Sequence, residues 1–144
     1  MTRKSWRGCG RMNRVIVDTS AWIESFRPGG DTKIKKVLKD LILGGSIFLP
    51  GIIKAEILRG TKSVKEYAIL NDLLNGLNYL PIKEDFWNSL SHFSFNLYRK
   101  GIAVPLIDTL IALLAIENDL LLLHRDKHFD LIAQKSSLKI LEVS

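Results

Sequence analysis

At 144 residues, with 47% hydrophobic and 25% charged residues, the chain is long enough to bury one sizeable core and too short for two. Its longest apolar run, residues 110–116, falls far short of the roughly 20 residues that a membrane helix needs, so we expect no membrane partner. The single cysteine, Cys9, excludes an internal disulfide and a cysteine-rich metal site. It also fits a reducing compartment, which favours a cytoplasmic protein.

The formal net charge of +6 is concentrated at the N-terminus. Five of the 21 basic residues lie in residues 1–14, which hold no acid, so the remainder carries 16 basic residues against 15 acidic ones. We interpret residues 1–13 as a basic N-terminal arm, or as an upstream-start or cloning artefact ahead of Met12. Residues 14–144 are then one domain. The net charge is therefore no argument for a nucleic-acid partner.

Hydrophobic patterns predict an alternation of strands and helices. Apolar residues between Thr32 and Ile42 recur at helical spacing, whereas residues 15–17 are a β-branched run typical of a buried parallel strand. Such alternation favours an α/β fold with a parallel sheet between helical layers. In chain order the predicted elements are strand 15–17, a helix through Trp22 and Ile23, helix 32–42, strand 47–49, helix 51–60, helix 64–77, strand 79–82, helix 84–100, helix 106–117, strand 120–123, helix 128–134 and strand 138–143.

Four acidic residues fall where the carboxyl ends of such a sheet meet. Asp18 ends the first strand, Asp126 follows strand 120–123, Asp108 lies in the first turn of its helix, and Glu56 lies in the helix after strand two. Ligands bind at this edge of an open parallel sheet. Close carboxylates repel each other by about 4 kcal/mol per pair at an effective dielectric near 20, so they stay ionised together only around cations. Hard oxygen ligands favour Mg²⁺ or Mn²⁺.

Divalent ions on carboxylates activate water and neutralise the leaving oxygen of a phosphodiester, so the cluster indicates hydrolysis of a nucleic acid. The other motifs are weaker. His124 and His128 have the spacing of a zinc pair, but that spacing crosses a strand-to-helix boundary. Neither a Walker loop nor a glycine-rich dinucleotide motif is present.

Each acid also has a purely structural interpretation. Asp18 and Asp126 are of the type that caps helix N-termini, and Glu56 can pair with Arg59 on a solvated face. Asp108, in the first turn, could serve the helix dipole, but its flanks are so apolar that it is expected to be half-buried, which favours a functional role for it.

Four short motifs make the sequence resemble a PIN domain, specifically a toxin of the VapC type. They are VIVDTSAW at residues 15–22, AEILRG at 55–60, IDTLIA at 107–112 and LHRDKHF at 123–129. The resemblance runs from about Val15 to the C-terminus. It departs from the family pattern at His124, where the family often has threonine.

The resemblance implies a PIN-like three-layer α/β/α fold with strand order 3-2-1-4-5, Mg²⁺-dependent cleavage of RNA, homodimerisation and a small cognate antitoxin. It assigns Asp18, Glu56, Asp108 and Asp126 as catalytic metal ligands, with Asp130 as a substitute for Asp126. Ser20 and Thr19 would orient Asp18 without contacting the metal themselves. Arg59 and Arg125 are candidate phosphate contacts.

The preferred hypothesis is an endoribonuclease toxin. Three alternatives remain open: a non-toxin PIN nuclease of RNA processing, a catalytically silent module that binds RNA or protein, and a phosphatase of the haloacid dehalogenase type. The last needs a second Asp two residues after Asp18, where Ser20 stands. The helix predicted over residues 84–100 carries more aromatic side chains than one of its faces can bury, which indicates an interface. These are Phe86, Trp87, Phe93 and Phe95.

Overall fold

A computed structural model describes residues 14–143, so the arm predicted over residues 1–13 lies outside the described residues. Within that range four strands alternate with seven helices. The strands are β1 (Val15–Val17), β2 (Phe48–Pro50), β3 (Asn78–Leu80) and β4 (Leu121–Leu123). The helices are α1 (Thr19–Phe26), α2 (Thr32–Leu43), α3 (Gly51–Arg59), α4 (Val64–Asn75), α5 (Phe86–Arg99), α6 (Leu106–Glu117) and α7 (Lys127–Gln134).

The strands pair in parallel, as predicted. β1 pairs with β4, and β2 pairs with β3. A parallel bridge between Val15 and Ile47 joins the two pairs, and another joins Leu122 to Ile140. The order across the sheet is therefore β3, β2, β1, β4 and then the segment at Ile140, which is the predicted order 3-2-1-4-5.

The last element differs from the prediction of a strand over residues 138–143, because only a single bridge forms there. Leu122 donates its N–H to the Lys139 carbonyl at 3.0 Å, and Leu141 donates to the Leu122 carbonyl at 2.9 Å. A segment at the edge of a sheet has a partner on one side only, so its ladder is short.

The core surrounds the sheet on both faces. All three residues of β1 are buried, and so are Leu122 and Leu123, which is expected only where helices cover both faces of a parallel sheet. Trp22 on α1 and Phe129 on α7 are the largest fully buried side chains. The helices pack in two groups, α1 with α2 and α3, and α6 with α5 and α7. This is the α/β/α arrangement that the sequence predicts.

Helix ends carry residues suited to capping, including the two aspartates expected as N-caps, Asp18 and Asp126. Gly101 has φ of +85°, the left-handed conformation that glycine adopts most readily, just after the C-cap of α5. Three helices, α1, α2 and α7, begin after an aspartate whose side chain accepts a backbone N–H: Asp18, Asp31 and Asp126. Among residues 14–143, none of the helices combines the length and the apolar character required to cross a membrane.

Candidate metal centre and active site

The pairing of β1 with β4 brings two predicted site residues to one edge of the sheet. Asp18 directly follows β1, and its backbone N–H donates to the carbonyl of Leu123, the last residue of β4, at 2.9 Å. Asp126 lies three residues beyond Leu123. The carboxyl ends of neighbouring parallel strands therefore present both aspartates on the same side.

Asp18 is almost completely buried, at 5% exposure. Its Oδ2 accepts two hydrogen bonds from Ser20, from the backbone N at 3.0 Å and from Oγ at 2.6 Å. Ser20 Oγ in turn accepts the backbone N–H of Arg125 at 3.0 Å. Ser20 thus joins the loop after β1 to the loop after β4. Asp18 is the N-cap of α1, and both hydrogen bonds use the same oxygen, so Oδ1 accepts none from the described part of the chain.

Asp108 and Asp126 face each other across His128. The His128 Nδ1 atom lies 2.9 Å from Asp108 Oδ2 and 3.2 Å from Asp126 Oδ1. One ligand atom from each of the three residues falls within 4.8 Å of the other two. Two carboxylate oxygens and an imidazole nitrogen at this spacing are a donor set suited to a divalent cation.

The cluster places negative charges close together, with His128 as the partner that opposes their effect. Burial raises the pKa of Asp108 above its usual 3.8, and the negative charges of Asp126 and Asp18 raise it further, against the opposing hydrogen bond with His128. The Asp108 side chain is 15% exposed, which agrees with the expected half-buried position. An ionised Asp108 therefore favours a cation between the carboxylates, and the donor set fits a divalent metal.

Glu56 reaches this edge through Thr19. The Thr19 hydroxyl donates to Glu56 Oε1 at 2.7 Å. The residue next to Asp18 therefore holds the side chain of Glu56, which belongs to α3. Thr19 was predicted to support Asp18, whereas its hydrogen bond goes to Glu56. Glu56 is not within the group of close ligand atoms formed by Asp108, Asp126 and His128 among the described residues.

The two arginines proposed as phosphate contacts have different surroundings. Arg125 lies beside Ser20, and its guanidinium forms an ion pair with Asp31, the N-cap of α2. The Lys33 backbone N–H, and to a smaller extent that arginine, hold the pKa of Asp31 below its usual value. Arg59 is exposed in the last turn of α3. Asp130, the predicted substitute for Asp126, faces His124 instead, with its Oδ1 3.3 Å from Nε2.

His128 is the residue of the cluster that sequence reasoning missed. It was considered only with His124 as a zinc pair, and the structure separates the two rings, since His124 faces Asp130 and His128 faces Asp108. Its position offered a usable signal, because a residue two places after an N-cap aspartate lies in the first turn of the helix, beside the capping carboxylate.

Comparison with known proteins identifies the family of the chain. A model of the PIN domain matches residues 15–135. The VapC ribonuclease Mb1587 of Mycobacterium bovis and ribonuclease VapC11 of Mycobacterium tuberculosis are each 33% identical to this chain over 131 residues. These matches cover 87% of this chain and 96% of each relative.

Solved structures agree on the fold. VapBC2 from Rickettsia felis, bound to a DNA fragment from its promoter, aligns with a TM-score of 0.73 at 19% identity, over 90% of this chain and 98% of that one. FitAcB from Neisseria gonorrhoeae aligns with a TM-score of 0.71 at 20% identity, over 89% and 96%. The chain belongs to the PIN-domain family and groups within it with the VapC ribonucleases.

Proposed function

We propose that the protein is a divalent-metal-dependent endoribonuclease and the toxin of a toxin–antitoxin pair. The observation that carries this proposal is the convergence of Asp108 and Asp126 at the sheet edge where Asp18 also lies. The VapC relatives named above supply the substrate class, RNA. An RNA substrate is in keeping with the cytoplasmic location expected from the sequence.

In this proposal Asp18, Asp108 and Asp126 hold the metal directly, and Glu56 completes the catalytic set. Mg²⁺ is the preferred ion because carboxylate oxygens are hard ligands, and the nearby His128 nitrogen also admits Mn²⁺. When bound, the cation supplies a Lewis acid that activates water and neutralises charge on the scissile phosphate.

The chain's own residues orient these groups. Ser20 fixes the direction of Asp18 through its two hydrogen bonds, which leaves Oδ1 for the cation. Thr19 holds Glu56 at the same edge, where the free Glu56 oxygen can accept a proton from water. Half-burial of Asp108 keeps bulk water from screening the site, which strengthens its attraction for a cation.

Arg125 is the better placed of the two proposed phosphate contacts. Its backbone is hydrogen-bonded to Ser20, so its side chain begins beside the carboxylates. An incoming phosphate would compete with Asp31 for the guanidinium. Arg59, on the exposed end of α3, would attract the RNA backbone through its charge without contacting the site.

A catalytically silent binding module is the main alternative. It has no need for an aspartate whose pKa is raised by burial and by neighbouring acids, as that of Asp108 is, because clustered charge lowers stability without a compensating activity. Toxin–antitoxin complexes are among the structural neighbours, and a small antitoxin is therefore the partner that we propose.

We also propose a homodimer through α5 and the start of α6. Trp87, Phe95 and Tyr98 are exposed, at 52%, 55% and 72%, and their spacing of eight and three residues places them on one face of α5. Leu106 at the start of α6 is also exposed. Phe86, one of the four aromatic residues that indicated an interface, is buried and belongs to the core. A second copy would cover this apolar face.

Asp18→Asn is expected to abolish catalysis and to leave the fold intact, because the amide oxygen still accepts from Ser20 while the charge is lost. Cleavage of a labelled single-stranded RNA in Mg²⁺ should fall by about 100-fold or more. Asp72→Asn, at an exposed residue of α4, is the matched control. Full activity of Asp18→Asn, or cleavage by the wild type in EDTA, would contradict the proposal.

Metal binding is expected to stabilise the wild type and not Asp108→Asn. At a 100-fold excess over its Kd, a ligand stabilises the native state by about 2.7 kcal/mol, which raises the melting temperature of a domain of this size by about 5–10 °C. Thermal scans with and without Mn²⁺ measure this rise, again with Asp72→Asn as the control. An equal rise in Asp108→Asn would remove that residue from the site.

The rise in melting temperature should shrink as the pH falls, because protons compete with the cation for Asp108. Its raised pKa places this loss at a higher pH than for a carboxyl of ordinary pKa. Without metal the sign is opposite, since protonating Asp108 favours the folded state in acid, and that contribution is lost as pH rises through the raised pKa. Scans with Mn²⁺ and in EDTA from about pH 4, near the ordinary pKa of an aspartate, to about pH 8 separate the two effects. A pH-independent metal effect would contradict the assignment.

The double variant Phe95→Lys, Tyr98→Lys is expected to be monomeric, because two buried like charges oppose association. Light scattering should report half the wild-type mass. Tyr79→Lys, at a residue of β3 that is 69% exposed, controls for the loss of an exposed tyrosine. A variant with the wild-type mass would place the interface elsewhere.

A further inference from the structure

The loop between β4 and α7 contains a buried histidine to which the proposed function gives no role. His124 is the first residue after β4, and its side chain is 7% exposed. Its ring packs on the ring of Phe129, with the centroids 5.2 Å apart. Phe129 is itself fully buried in the core. The imidazole is therefore held rigidly beside the backbone of the loop that carries Asp126.

The hydrogen bonds of His124 fix its tautomer. Its Nδ1 accepts the backbone N–H of Asp126 at 3.0 Å. A backbone N–H can only donate, so Nδ1 carries the lone pair and the proton of the neutral ring lies on Nε2. That nitrogen faces Asp130 Oδ1 at 3.3 Å. The ring thus presents an acceptor, and not a donor, to Asp126.

Asp126 depends on this acceptor for its orientation. Its backbone is extended, with φ of −134° and ψ of 119°, where the chain turns from β4 into α7. Its Oδ1 accepts the His128 backbone N–H at 3.0 Å. The contact to His124 fixes the backbone of Asp126, and the contact to His128 fixes one carboxylate oxygen. The other oxygen, Oδ2, accepts no hydrogen bond from the described residues.

We propose that His124 is a positioning residue for Asp126, which it orients as a metal ligand through the Nδ1 acceptor. The inference rests on the proposed function, in which Asp126 holds the cation. Residues that orient a metal ligand from behind typically contribute about 10- to 100-fold to metal affinity. His124 acts here through the backbone of the ligand rather than through its carboxylate.

The experiment separates the acceptor from the ring. His124→Phe keeps an aromatic ring against Phe129 and removes the acceptor, whereas His124→Asn keeps an acceptor oxygen and removes the ring. His92→Phe, at an exposed histidine of α5, is the matched control. Mn²⁺ affinity measured by calorimetry is the first readout, and kcat and KM for RNA cleavage are the second.

We expect His124→Phe to weaken Mn²⁺ binding by about 10- to 100-fold and to lower kcat at limiting metal without raising the KM for RNA. His124→Asn should bind Mn²⁺ close to the wild type, as should His92→Phe. Rescue by asparagine is specific to the acceptor, because asparagine does not restore the packing of the ring.

Wild-type affinity in His124→Phe, or lost affinity in a folded His124→Asn, overturns the proposal. Retained affinity in His124→Asn supports it whether or not His124→Phe folds, as judged by circular dichroism. Unfolding of both variants also overturns it, since His124 would then serve the fold itself. If the wild type binds no Mn²⁺ and cuts no RNA, the proposed function fails, which is distinct from failure of the His124 variants alone.

Discussion

The parallel pairing of β1 with β4 is the contact on which the site depends. Val15 lies opposite Leu121, and the Asp18 N–H extends this ladder to Leu123. Because both strands run in the same direction, they bring their following loops to one edge of the sheet. Ser20 then joins these loops, since it donates to Asp18 and accepts from the Arg125 backbone. A shift in the register of β1 against β4 would move Asp18 away from Asp126 even if no side chain of the site changed.

The cluster of acids works against the stability of the fold. Burial and the neighbouring charges raise the pKa of Asp108, so the ionised form is disfavoured where it stands. His128 offsets part of this cost with a hydrogen bond at 2.9 Å, and a bound cation would offset more. Such local conflict is characteristic of sites retained for activity rather than for packing.

Local patterns predict most of this fold and fail where contacts join distant segments. The β-branched run of β1 and the caps at Asp18 and Asp126 are short-range features. The hydrophobic pattern predicts the strand, and the residue type at each helix start predicts the caps. The ion pair between Arg125 and Asp31 joins residues 94 positions apart, which no local pattern reports. In the sequence, His128 is considered only as a zinc ligand paired with His124, and that pair is rejected because it spans a strand-to-helix boundary. The neighbour of His128 in space is instead Asp108, which lies on another helix.

The structural and functional interpretations of the aspartates turn out to be compatible, because a cap uses one oxygen. Asp18 caps α1 through Oδ2 and Asp126 caps α7 through Oδ1, so within the described residues each has a second oxygen that accepts no hydrogen bond. The helix N-terminus also stabilises the negative charge that the ligand must carry. Asp108 also lies in the first turn of its helix, α6, but among the described residues its carboxylate accepts no backbone N–H there. Burial, and then the negative charges of Asp126 and Asp18, raise the pKa of Asp108 against the hydrogen bond with His128, so the charge of that carboxylate depends on what its neighbours provide.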